Sequence, residues 1–138
     1  MASQLVELEP LAALISRLAR ELAREGLPVN RTRLAVLVAL RDRGPMRVTD
    51  LAAGEHVAQP TMTNLVAKLA EQGWVERQPD LADGRVVNVA ITRAGLSVLE
   101  RAVELRDEAF RRRLERLTPA KRAALAGALE ALQALSDQ

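Results

Sequence analysis

Apolar side chains recur at Leu11, Leu14, Ile15, Leu18 and Leu22, three or four residues apart, until Gly26 and Pro28 break the pattern. That spacing predicts an amphipathic first helix. A second helix is expected from about Asn30 or Thr32 to Arg41, carrying Leu34, Leu37, Val38 and Leu40 and stopped by Gly44-Pro45. Residues 48–53 form a short helical segment, joined through Gly54-Glu55-His56 to a longer helical stretch over residues 58–72 that Gly73 ends. Two short helices around a tight turn have the outline of a helix-turn-helix.

Beyond Gly73 the pattern changes. Residues 74–77 and 86–91 are rich in β-branched and aromatic side chains and flank a loop containing Pro79, Asp80, Asp83 and Gly84, which predicts an antiparallel hairpin. Thr92 can cap a long, seam-like helix with Leu96, Leu99, Val103, Phe110, Leu114 and Leu117 along it. Thr118-Pro119 then supplies a cap and a first-turn proline for a last helix bearing Leu125, Leu129, Leu132 and Leu135. The expected fold class is mainly α with a small β-hairpin (α+β), with no internal repeat or low-complexity linker.

At 138 residues, the chain has the size of one ordinary domain. No apolar run approaches the roughly 20 residues of a membrane span. The first residues show no basic segment leading into an apolar one, so a cytoplasmic protein is expected. The absence of cysteine excludes disulfides, thiolate zinc sites and thiol redox sensing. With no Tyr, a single His and no glycine-rich phosphate cradle, the chain lacks the parts of a nucleophile–base pair or a phosphate loop. No enzymatic activity, cofactor or metal is expected. Net charge is only +2, but Lys68 and Lys121 are the only lysines among 20 basic residues. Arginine's planar fork suits phosphate and guanine, although many proteins of this charge never touch nucleic acid.

In the stretch 58–72, Met62, Leu65, Val66 and Leu69 form one apolar stripe. The opposite face carries Gln59, Thr61, Thr63, Asn64 and Lys68, and Pro60 is tolerated in the first turn. Gln and Asn can hydrogen-bond adenine edges, Thr methyls can meet thymine methyls, and Thr and Lys can hold phosphates. Taken alone, the same face is an ordinary solvated one. In the hairpin loop, Asp83-Gly84-Arg85 makes a tight turn from which Arg85 projects. Such an arginine suits a narrow minor groove, with Asp83 holding the guanidinium or the loop in shape. Alone, it is an Asp-Gly turn with a solvated arginine.

The ordered series Gly44-Pro45, Leu51-Ala52, Val57, Gln59-Pro60-Thr61-Met62-Thr63, Leu69, Gly73, Arg77, Asp80, Asp83-Gly84-Arg85, Ile91-Thr92 and Gly95 resembles the MarR family of bacterial winged-helix regulators. The resemblance covers the central third to half of the chain. It implies a winged helix-turn-helix DNA-binding lobe over residues 30–92, with the stretch from Ala58 as recognition helix and the hairpin as wing. Residues 1–28 and 93–138 would be dimerisation helices. It further implies a ligand-responsive repressor that binds double-stranded DNA as a homodimer, on a pseudo-palindromic operator whose half-sites lie about 34 Å apart. A small amphipathic or phenolic effector would sit between wing lobe and dimer helices, though near-absence of aromatic residues weakens stacking there. The DNA-contacting set is then Arg47, Gln59, Pro60, Thr61, Thr63, Asn64, Lys68, Arg77, Asp83 and Arg85. Two positions depart from the family pattern. Ala58 stands where a serine usually caps the recognition helix, and Arg47 stands where a capping Thr is common, either reaching a phosphate or simply exposed.

Remaining features have plainer readings. His56 lies at the turn between the short helices, where φ > 0 is needed, and lacks the partners of a metal ligand or general base. Trp74 either anchors the wing to the core or borders a ligand cavity. Arg111-Arg112-Arg113, with Glu108 and Glu115 close by, reads as a solvated helix face. Leu5, Leu8, Leu11, Phe110, Leu114, Leu117, Leu125, Leu129 and Leu132 exceed what a thin helical flank can bury, which predicts an obligate homodimer. A winged helix serving only as a protein-interaction module would show apolar or aromatic anchors where Gln59, Thr63 and Asn64 stand.

Overall fold

The computed structural model describes residues 1–138. Its helices are α1 (Ala2–Leu8), α2 (Pro10–Arg24), α3 (Arg31–Arg43), α4 (Val48–Gly54), α5 (Gln59–Glu71), α6 (Arg93–Glu115) and α7 (Pro119–Ser136). The strands are β1 (Met46–Arg47), β2 (Val75–Pro79) and β3 (Val87–Ile91). The backbone divides into two compact units: Leu27–Glu104, and Met1–Gly26 together with Leu105–Gln138.

In the unit Leu27–Glu104, local chemistry sets the helix ends. The Arg33 N–H donates to the Asn30 side chain (3.1 Å), which caps α3, and Gly44 at φ 80° lets the chain leave it. Between α4 and α5 the backbone turns through His56 at φ 54°, the one non-glycine residue with positive φ, as its place in the turn anticipated. The apolar stripe of α5 meets α3, α4, the sheet and α6 in a core around Val36, Leu37, Leu40, Leu51, Met62, Val66, Leu69, Val75, Val89 and Leu99. Truncating one of the large aliphatic side chains here to alanine costs about 2–5 kcal/mol through lost transfer energy and the cavity left.

The hairpin is part of a three-stranded antiparallel sheet in the order β1-β3-β2, with Met46 opposite Val89 and Gln78 opposite Asn88. Strand β1 is too short to show any alternation, so no sequence pattern marks it. Pro79, expected in the loop, instead ends β2, where it pairs in register with Val87. An edge strand tolerates a residue without an N–H. Thr92 caps α6 as expected: its hydroxyl accepts from the Gly95 N–H (3.1 Å) and donates to the Gly73 carbonyl (2.6 Å).

The second unit holds α1, α2, the last part of α6, and α7. The short helix α1 has no buried residue, and its seven residues are too few to show a helical period. Leu22 and Ala109 are this unit's buried apolar residues, and α7 has none over 18 residues. Arg122 donates to the carbonyls of Leu114 (3.1 Å), which also accepts from the Leu117 N–H, and of Leu117 (2.6 Å), just past the end of α6. Within the arginine run, Arg113 pairs with Glu21 (3.9 Å) and Glu25 (3.5 Å), while Arg111 and Arg112 are exposed.

Candidate nucleic-acid interface

Helix α5 carries most of the expected contact residues. Met62, Val66 and Leu69 are at most 1% exposed, whereas Gln59, Pro60, Thr61, Thr63, Asn64 and Lys68 are all exposed. Burial of the stripe fixes the rotation of the helix, and the rotation presents the polar face to solvent. The Thr63 hydroxyl donates back to the Gln59 carbonyl (2.9 Å), which leaves its methyl and an oxygen lone pair for an outside partner. Ala58 occupies the N-cap at φ −64°, ψ 145°, and no side chain caps α5. The free backbone N–H groups of the first turn, with no side-chain acceptor, form an electropositive end.

The wing loop is fixed by two carboxylates. The Asp80 N–H donates to the Val86 carbonyl (2.8 Å) and closes the loop at its neck. One Asp80 oxygen accepts from the N–H groups of Ala82 (2.8 Å) and Asp83 (3.3 Å), and the other from the Asn88 amide (3.2 Å). Arg47 lies 3.9 Å from that second oxygen. These backbone donors, then Asn88, then the Arg47 charge, hold the Asp80 carboxyl below the ordinary carboxylate range. Asp83 is lowered likewise, first by the Arg85 guanidinium (3.2 and 3.3 Å) and then by the Arg85 N–H (3.0 Å). Asp83 thus shapes both the Arg85 side chain and the turn, while the Arg85 side chain is 92% exposed.

Arg47 ends β1 and precedes α4, and its side chain caps nothing. The structure joins it to the wing through Asp80, a pairing that no sequence pattern signals because β1 has no period of its own. Asn88, which ties β3 to Asp80, escapes sequence reasoning because the hairpin register that sets it opposite Gln78 is not marked in the sequence, although an Asp that accepts the N–H two residues on is a legible turn signature. Arg77 is exposed on β2. No side-chain bond brings α5 and the wing together; the core beneath them fixes their relation.

The same unit contains a cavity of about 460 Å³ lined by Leu27, Pro28, Val29, Trp74 and Val98, with Arg33, Gln72, Ser97 and Arg101 as its polar groups. Trp74 packs partly buried against the core and also borders this cavity.

A family model described as the MarR family matches residues 29–87. An HTH-type transcriptional regulator of Mycobacterium leprae is 35% identical over 130 residues, which cover 93% of this chain and 91% of that protein. An HTH-type transcriptional repressor of Pseudomonas putida is 34% identical over 89 residues, 64% of this chain and 53% of that one. Among solved structures, a transcriptional regulator from Pseudomonas aeruginosa superposes with a TM-score of 0.81 at 26% identity, covering 100% of this chain and 99% of that one. With a helix-turn-helix turned at His56, a polar-faced α5 and a wing stiffened by Asp80, this chain belongs to the MarR family of DNA-binding, helix-turn-helix transcriptional regulators.

Proposed function

We propose that the protein is a homodimeric repressor that binds a pseudo-palindromic operator, with α5 in successive major grooves, the wings in the flanking minor grooves, and release governed by a small effector. The carrying observation is the division of α5 between the buried Met62, Val66 and Leu69, with Leu65 partly buried beside them, and the exposed set Gln59, Thr61, Thr63, Asn64 and Lys68. Asn64 reads an adenine edge, the Thr63 methyl meets a thymine methyl, and Lys68 and Arg47 hold phosphates. Arg77 adds positive charge beside the wing, and the repressor role is supported by the Pseudomonas putida relative. Residues 30–92 act as the DNA-binding lobe and residues 1–28 and 93–138 as the dimerisation region. Dimerisation is supported by the apolar surface left open on the terminal helices, with Leu5 63%, Leu14 55%, Leu125 43% and Leu129 70% exposed. The protein acts in the cytoplasm, where its operator is.

The cavity beside Trp74 lies within the roughly 300–1,000 Å³ of small-molecule sites. Its apolar wall, lined also by Arg33 and by Arg101, which is paired with Glu104 (3.1 Å), suits an amphipathic or phenolic effector with an anionic end.

Selecting bound duplexes from a random pool tests the core of this reading. The expected product is an inverted repeat with half-site centres about one helical turn apart. Asn64→Ala should flatten base preference at one position per half-site by about 1–3 kcal/mol while leaving random-DNA binding unchanged. Equal weakening on both kinds of DNA would move Asn64 to the phosphates, and a pool with no shared repeat would overturn the operator reading. Sedimentation at micromolar concentration should show two chains. Trp74 fluorescence reports effector binding directly, with salicylate as the first probe.

A further inference from the structure

Leu81 opens the wing loop fully exposed to solvent, the most exposed large apolar residue in the chain. A flexible loop would give such a residue little meaning, but this loop is not free. The Asp80 N–H to Val86 carbonyl bond closes residues 81–85 into a loop in which Leu81 is first and Arg85 last. Inside it, the N–H groups of Ala82, Asp83 and Arg85 all donate to Asp side chains, and that of Val86 donates to the Asp83 carbonyl (3.0 Å). One aliphatic and one cationic side chain therefore stand exposed at the two ends of the same stiffened loop.

We propose that Leu81 is a minor-groove wedge, inserted beside Arg85 and against a flanking base step so that the operator bends at the wing. This rests on the reading that the wing enters DNA. The minor groove offers negative potential to the guanidinium and apolar sugar walls to the leucine, and aliphatic side chains that enter it partly unstack a base step. A protein partner fits less well, because Leu81 is flanked by Asp80, Ala82, Asp83 and Gly84 and belongs to no apolar patch of interface size. Insertion is cheapest at pyrimidine–purine steps, which unstack easily. Leu81 therefore confers a preference for TA or CA steps at positions that no polar side chain reads.

The test uses the intact chain of residues 1–138 and duplexes of about 30 bp that it selects from a random pool, with the outer flank rebuilt as either a TA step or a rigid A-tract and 2-aminopurine placed at the flank. Wild type should raise the 2-aminopurine fluorescence on binding and prefer the TA flank. Leu81→Ser should abolish the rise and weaken binding to the TA flank by about three- to tenfold, the loss of part of one leucine's burial. It should leave the Arg85 salt dependence intact, and Leu81→Met should restore both signals. Unchanged affinity and fluorescence in Leu81→Ser would overturn the wedge while leaving the DNA reading standing. Equal weakening on both flanks would also overturn it and assign Leu81 to another contact. If wild type selects no duplex at all, the DNA reading falls and the wedge with it.

Discussion

Replacing Arg85 by alanine separates recognition by the wing from stability of the wing. The guanidinium is 92% exposed and bonded only to Asp83 in its own turn, so its removal opens no cavity and strands no buried partner. Folding and dimerisation should be unchanged. On DNA, each phosphate no longer neutralised reduces the slope of log affinity against log salt by about 0.9, so two per dimer remove about 1.8. The same relation gives a loss of about 60-fold at 0.1 M salt that shrinks to about fivefold at 0.4 M. These are ceilings, because Asp83 already offsets part of the Arg85 charge and DNA must compete with it for the guanidinium. Anisotropy titrations across that salt range measure both quantities, on operators with A/T-rich and G/C-rich flanks. The loss should be greater on the A/T flank, whose narrow groove has the deeper negative potential. An identical slope and affinity for Arg85→Ala on both flanks would refute the reasoning and leave Asp83-Gly84-Arg85 as a turn without a role in recognition.

Ala58→Ser should stabilise the protein by about 1 kcal/mol, since the N-cap backbone already has extended geometry and Pro60 leaves Thr61 as the N–H a serine would satisfy; urea unfolding measures it, and an unchanged midpoint would mean that Thr61 is already solvated at no cost. Gly95→Ala should lower stability by about 2–3 kcal/mol, because the new Cβ would press on the Trp74 carbonyl and stand 2.8 Å from Ile91 Cγ1. The same unfolding assay decides it, and a wild-type midpoint would show that α6 shifts freely. Asp80→Asn should loosen the wing in a pH-dependent way. The folded carboxyl lies below its ordinary value of 3.8, so its contribution is fully present above about pH 5 and fades as pH falls below about 4. The gap between wild type and variant in wing amide exchange should close over that window, and a gap constant from pH 6 to pH 3 would exclude the carboxylate as its source.

Periodicity alone determined the helices that bury a stripe, because a core-facing helix must repeat its apolar residues every three to four positions. Met62, Val66 and Leu69 set the rotation of α5, so its outward residues Gln59, Thr63, Asn64 and Lys68 were readable before any coordinate. Local rules likewise exposed the Thr92 cap, the left-handed turn at His56 and the Asp83–Arg85 pair, since each depends on residues within three positions of one another, while the structure chose Asn30 over Thr32 as the start of α3. What tertiary structure decided lies beyond that range. Strand β1 exists because Met46 and Arg47 find β3 some 40 residues later, and two residues have no period to detect. Arg47 meets Asp80 only because that pairing brings β1 to the wing, whereas Asn88 reaches Asp80 through the register of the β2–β3 hairpin, which sets it opposite Gln78. The cavity beside Trp74 gathers residues from the α2–α3 loop, α3, the end of α5 and α6, none of which marks the others in sequence. A side chain's partner within one turn follows from covalent geometry, whereas a partner reached across the fold is chosen by packing the whole core.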